Sequence, residues 1–157
     1  MRSCLVIGVC FLVLPSVSQA APVRLPPLSE TLPSQGNRFY QTVLDRQGDE
    51  KSAEAAKIMY LIQQVRQSPY EFVRNGKTYP APKAANHLLR KYTAVRSRVD
   101  TAKKFIFYIA TKSEATGIPY MVKFSDGTKY STRDVLSAEL QRLEADLSKG
   151  SGEPSGG

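Results

Sequence analysis

Between residues 51 and 147 the apolar positions follow two kinds of spacing. Ile58, Leu61, Ile62 and Val65 recur every three or four residues, which places them on one face of a helix from about Ser52 to Gln67. Ser68-Pro69 ends it, because the residue before a proline is pushed out of the α region. Phe72-Val73-Arg74 and Lys77-Thr78-Tyr79 flank Asn75-Gly76, and this predicts a hairpin, since both central residues of a type I′ turn need positive φ. Pro82 suits the first turn of a second helix reaching about Val95, with Ala85, Leu88, Leu89 and Tyr92 inward. Asp100-Thr101 reads as the cap of a third helix that turns Ala102, Phe105, Ile106 and Ile109 to the core. After Gly117 and Pro119 come a strand at Tyr120–Phe124, a turn at Asp126-Gly127 and a short return over Thr128–Tyr130. Ser131 or Thr132 caps a last helix striped by Leu136, Leu140, Leu143 and Leu147. The predicted class is α+β, a mainly helical single domain with about four helices and two short β-hairpins.

The ends of the chain read differently. Arg2, the apolar run Cys4–Leu14 and the small residues of Ser18-Gln19-Ala20 have the anatomy of a signal peptide at 1–20, cleaved near Ala20. The expected location is periplasmic or secreted. Pro22, Pro26, Pro27 and Pro33 make 21–50 a Pro-rich N-terminal arm, extended over its first part, and the Gly/Ser-rich 148–157 is expected to be a disordered tail. Both cysteines fall inside the signal segment. The mature chain therefore cannot be a disulfide-stapled scaffold, a thiol enzyme or a thiolate metal site. No later run approaches the length of a membrane span.

Charge narrows the choice of partner. Removing Arg2 leaves 22 − 1 = 21 basic residues against 14 acidic ones, a net of +7. Residues 83–104 alone carry Lys83, Arg90, Lys91, Arg96, Arg98, Lys103 and Lys104 against Asp100. A basic stretch so localised points to an anionic ligand or protein partner. Nucleic acid is the weaker choice, because no stacking-platform motif accompanies the charge.

Five short blocks recur in one order. They are Phe72-Val73-Arg74-Asn75-Gly76, then Ala85 with His87-Leu88 and Lys91, then Arg98-Val99-Asp100-Thr101-Ala102 with Phe105-Ile106. Ser113 with Thr116-Gly117, and Pro119-Tyr120-Met121-Val122-Lys123, complete the series. In these blocks, over roughly Ile58 to Leu143, the chain resembles the YfeK-like family of small exported bacterial proteins, a domain of unknown function. The resemblance implies a compartment and a compact domain but brings no activity.

Among the polar positions of those blocks, Asn75, Asp100, Thr101 and Thr116 are accounted for by turns and caps. His87 and Lys91 are not. The core direction set by Ala85, Leu88 and Tyr92 puts His87 on the opposite side of its helix, with Lys91 one turn on. The bland reading is hydrogen bonding to the hairpin backbone. The functional one is a ligand-binding face of His87, Lys91, Arg90 and Arg98, with Arg74 joining if the hairpin folds over it. The rival is a small hydrolase using His87 with Ser113, oriented by Asp100, although no nucleophile motif surrounds Ser113. One histidine and scattered carboxylates supply no metal spacing, and no cofactor is expected.

Lys103, Lys104, Phe107 and Tyr108 depart from the family resemblance, which implies acidic or amide residues at the first two and polar ones at the others. They form either an exposed interaction patch or a surface for the N-terminal arm, whose Phe39, Tyr40, Val43 and Leu44 have amphipathic spacing. Burial of two aromatics is the stronger drive, so the arm is expected to pack on Phe107 and Tyr108. The function expected from sequence is a non-enzymatic exported binding or interaction module with a basic face.

Overall fold

The computed structural model describes residues 25–29 and 37–150. The predicted signal peptide, the remainder of the Pro-rich stretch and the last seven residues of the tail lie outside the described residues. Five helices and four strands follow in the order α1 (Arg38–Asp45), α2 (Glu50–Gln67), β1 (Glu71–Arg74), β2 (Lys77–Pro80), α3 (Ala81–Val95), α4 (Ala102–Lys104), β3 (Met121–Lys123), β4 (Lys129–Ser131) and α5 (Thr132–Gly150). The short α4 continues as a π-helical turn over Phe105–Ile109. The architecture is α+β, with one helix more than the four expected.

The added helix is α1, inside the arm. Asn37 caps it through its side chain, which accepts from the Phe39 N–H, and Tyr40 and Val43 are buried against the domain. The two expected hairpins are a single antiparallel sheet of order β2-β1-β3-β4. What merges them is pairing of β1 with β3, where Phe72 faces Val122 and Glu71 faces Lys123. Both Phe72 and Val122 are buried. Edge pairing of two hairpins satisfies backbone groups that separate ribbons would leave open.

The helical stripes bury as their spacing requires. Ile58, Leu61, Ile62 and Val65 of α2, Phe105 and Ile109 of the π turn, and Leu136, Leu140 and Leu143 of α5 share one core with Leu28, Tyr40 and Val43 from the arm. Ser131 Oγ accepts from the Asp134 N–H at 3.0 Å and so caps α5. The start of α4 is served twice. Thr101 Oγ1 accepts from the Lys104 N–H at 3.1 Å, and Glu54 of α2 accepts from the Ala102 N–H at 2.7 Å. That second cap ties α4 to α2 and fixes where the chain after α3 returns to the core.

Candidate functional site

The β1–β2 hairpin folds over the face of α3 that periodicity leaves outside the core. Its turn needs left-handed backbone at both central residues, and Asn75 and Gly76 adopt φ of 50° and 75°. Thr116 Oγ1 donates to Asn75 Oδ1 at 2.8 Å and pins the turn to the loop before β3. Arg74 and Tyr79 therefore come down beside Lys83, His87 and Arg90, which share one face of α3 at four- and three-residue spacing.

His87 is the hub. One guanidinium nitrogen of Arg74 lies 3.0 Å from both ring nitrogens. Arg90 reaches Nδ1 at 3.3 Å, and the Tyr120 hydroxyl lies 3.3 Å from Nε2. A guanidinium only donates, so the imidazole must accept, and a neutral ring has one accepting nitrogen. The tautomer that serves Arg90 and Tyr120 accepts at Nδ1 and donates Nε2–H to the Tyr120 hydroxyl, while the Arg74 nitrogen, equidistant from both ring nitrogens, lies against the ring and along neither lone pair. Burial first, then the charges of Arg74, Lys91 and Arg90, hold the pKa of His87 down at about 4. At neutral pH it is an uncharged spacer between two arginines.

These side chains line a cavity of about 340 Å³ with Phe72, Leu88, Tyr120 and Thr132. Among the described residues no carboxylate lines it. Among the described residues Arg74, Lys83 and Arg90 take part in no ion pair. The Tyr79 ring is in cation–π range of two of these cations, 5.7 Å from the Arg74 guanidinium carbon and 5.4 Å from Lys83 Nζ. The wall is thus strongly positive, with aromatic and aliphatic surface beneath.

Of the predicted ligand face, Arg74, His87 and Arg90 converge on the cavity, whereas Lys91 and Arg98 are not on its wall. Lys91 Nζ donates to the Ile109 carbonyl at 3.0 Å, which lies on the last turn of the π segment, and pairs with Glu114 at 3.2 Å. Arg98 is exposed beyond the end of α3. Ser113, His87 and Asp100 do not form a relay. Asp100 pairs with Lys104 at 2.7 Å, while the backbone of Ser113 bonds Ile118 and Gly117 in the loop before β3. Among the described residues no group of three His, Cys, Asp or Glu could hold a metal ion. Lys83, Tyr79, Tyr120 and Thr132 complete the site. Only Lys83, one turn before His87, has a signal in helical spacing, since the other three arrive from β2, the residue before β3 and the start of α5.

Lys103, Lys104, Phe107 and Tyr108 gather at a second depression, of about 680 Å³, with Arg133 of α5. Phe107 and Tyr108 remain 53% and 59% exposed and pack edge to face, and the Arg133 guanidinium stands 5.3 Å from the Phe107 ring. No described residue of the arm lines this depression, which corrects the expectation that the arm packs there. The arm buries Leu28, Tyr40 and Val43 in the main core instead. A closed apolar core offered Val43 full burial, which a shallow, cation-rimmed depression could not.

A profile of the Family of unknown function (DUF5329) matches residues 51–144. Part of the chain is similar to the uncharacterised protein YfeK of Salmonella typhimurium, 45% identical over 49 residues, which is 31% of this chain. The match spans only 41% of that relative. No solved structure matches. No helix among the described residues is long and apolar enough to cross a membrane.

Proposed function

Since this chain belongs to the YfeK-like family of unknown function (DUF5329), which brings no reaction or ligand with it, we propose from its geometry a non-enzymatic binding protein for a small anion, with the cavity between the β1–β2 hairpin and α3 as its site. One observation carries this reading. Arg74, Lys83 and Arg90 converge on a single cavity with no acidic group on its wall among the described residues, and the histidine among them is held neutral. Grouped cations repel one another, and an anion of suitable size removes that repulsion while accepting charge-assisted hydrogen bonds. Arginine suits the task, because its planar fork meets carboxylate or phosphate with two parallel bonds.

The compartment belongs to the same proposal. The signal-like segment at 1–20 supports export, and N-terminal sequencing of the protein from a periplasmic or culture fraction tests it. The hydrolase reading has less support, because the imidazole is occupied by Arg74, Arg90 and Tyr120 and not by a serine hydroxyl.

A thermal-shift screen of the purified protein tests the binding reading. The panel is small anions, with and without apolar groups, against matched cations. A ligand at a hundred times its Kd adds about 2.7 kcal/mol, which is several degrees for a domain of this size. Anions are expected to raise Tm, less so at high salt and less so in Arg74→Ala or Arg90→Ala. A panel in which no anion shifts Tm more than its matched cation would sink the reading.

A further inference from the structure

We propose that the anion taken by this cavity carries a compact apolar body. The ligand class is then a small amphipathic acid, with one anionic head and a ring or short hydrocarbon chain, and not a free inorganic anion. This rests on the reading of the cavity as an anion site.

Size is the first ground. A cavity of about 340 Å³ holds many times the ~30 Å³ share of a single water, so a five-atom oxyanion would leave most of it unfilled. It lies instead at the lower end of the range for small organic ligands, about 300–1,000 Å³.

The wall supplies the second ground. The cations are tied together at one cluster, since Arg74 and Arg90 both reach His87 and Arg74 and Lys83 both face the Tyr79 ring. The rest of the wall includes Phe72 of β1, Leu88 of α3 and the ring of Tyr120, the residue just before β3. A hydrophobic body placed against such a surface is removed from water, and an inorganic anion gains nothing from it. Thr132 also lines the cavity, and its Oγ1 is buried without a hydrogen-bond partner.

The test is a calorimetric titration of the purified protein with inorganic phosphate, acetate, phenylacetate, 4-phenylbutyrate and the uncharged 2-phenylethanol. Each added methylene is expected to tighten Kd about fourfold until the cavity is filled, so the aryl acids bind tighter than acetate or phosphate. Phenylethanol binds at least tenfold more weakly than phenylacetate. Ala84→Phe narrows the cavity from its α3 wall while leaving every cation in place, and it is expected to abolish the gain from the aryl group. Acetate or phosphate binding as tightly as the aryl acids would overturn the apolar body and leave the anion site standing. Phenylethanol binding as tightly as phenylacetate, or no binding by any anion, would overturn the anion site as well.

Discussion

The carboxylate of Glu139 accepts a hydrogen bond from the backbone N–H of Leu28 at 2.6 Å, across 111 residues of chain. Arg142, one turn further along α5, donates to the same carboxylate at 2.8 Å and to the Leu25 carbonyl. A single ion pair thus holds two backbone groups of the arm, the Leu25 carbonyl and the N–H of Leu28, whose side chain is wholly buried. Glu139 is itself buried, and a carboxylate there is tolerable only because a guanidinium and a backbone N–H surround it. The arm is therefore part of the folded core at this point, even though its composition reads as a linker.

Removing the anchor should be costly. Leu28→Ala is expected to lose about 2–5 kcal/mol of stability in urea denaturation, as for other fully buried leucines. Glu139→Gln keeps an oxygen for the Leu28 N–H, whereas Glu139→Ala strands both that donor and Arg142. The alanine variant should be the less stable of the two by about 1–3 kcal/mol. Equal denaturation midpoints for the pair would mean that the carboxylate does not hold the arm.

His87 makes stability depend on pH on the acid side. Its folded pKa, about 4, lies below the ordinary 6.5, so between those values the unfolded chain binds more protons than the folded one. Its contribution is complete above about pH 6.5 and is lost as pH falls towards about 4. Glu139 has the opposite sign, because burial raises its pKa and its contribution falls as pH climbs through the carboxylate range. Wild type and His87→Gln, compared by denaturation from pH 4 to 7, should differ in slope across the histidine window. Parallel curves would show that the imidazole is not desolvated among cations.

Lys91 and Arg90 are adjacent in sequence and should separate in function. Lys91→Ala removes a bond to the Ile109 carbonyl, which closes the π turn, and is expected to lower stability by about 0.5–1.5 kcal/mol. Its effect on anion affinity should stay within about threefold, since the side chain is not on the cavity wall. Arg90→Ala should weaken anion binding tenfold or more, equivalent to about 1.4 kcal/mol, with little change in Tm. The reverse order of effects, read by titration and thermal melt on the same samples, would contradict this division.

Phe107 and Tyr108 should be dispensable for folding. Replacing both by serine removes exposed rings and one cation–π contact, so stability should hold within about 1 kcal/mol. Deleting residues 21–50 should instead be severe, because Leu28, Tyr40 and Val43 leave the core with it. A melt in which the serine pair is as damaging as the deletion would place the arm on the aromatic patch after all.

The helices were legible because their signal is local. Ile58, Leu61, Ile62 and Val65 repeat at the helical period, and Asn75-Gly76 names its own turn, so α2 and the β1–β2 hairpin follow from neighbours in sequence. The same holds for His87, which helical spacing turns away from the core before anything is known of what lies opposite. By contrast, the amphipathic spacing of Phe39, Tyr40, Val43 and Leu44 marks α1 without saying which surface buries it, and the five-residue turn at Phe105–Ile109 has no sequence period distinct from an ordinary helix.

What the sequence determined by itself is the set of elements, the inward stripes and the concentration of positive charge around α3. Which cations meet was decided only by the tertiary structure. Pairing of β1 with β3 made one sheet of two hairpins, and the hairpin's descent onto α3 set Arg74 against His87 while Lys91 turned to Ile109. The physical reason is range. Helix periodicity and turn chemistry act over a few residues, whereas a cavity wall is assembled from strands and helices whose contacts depend on how the whole core closes.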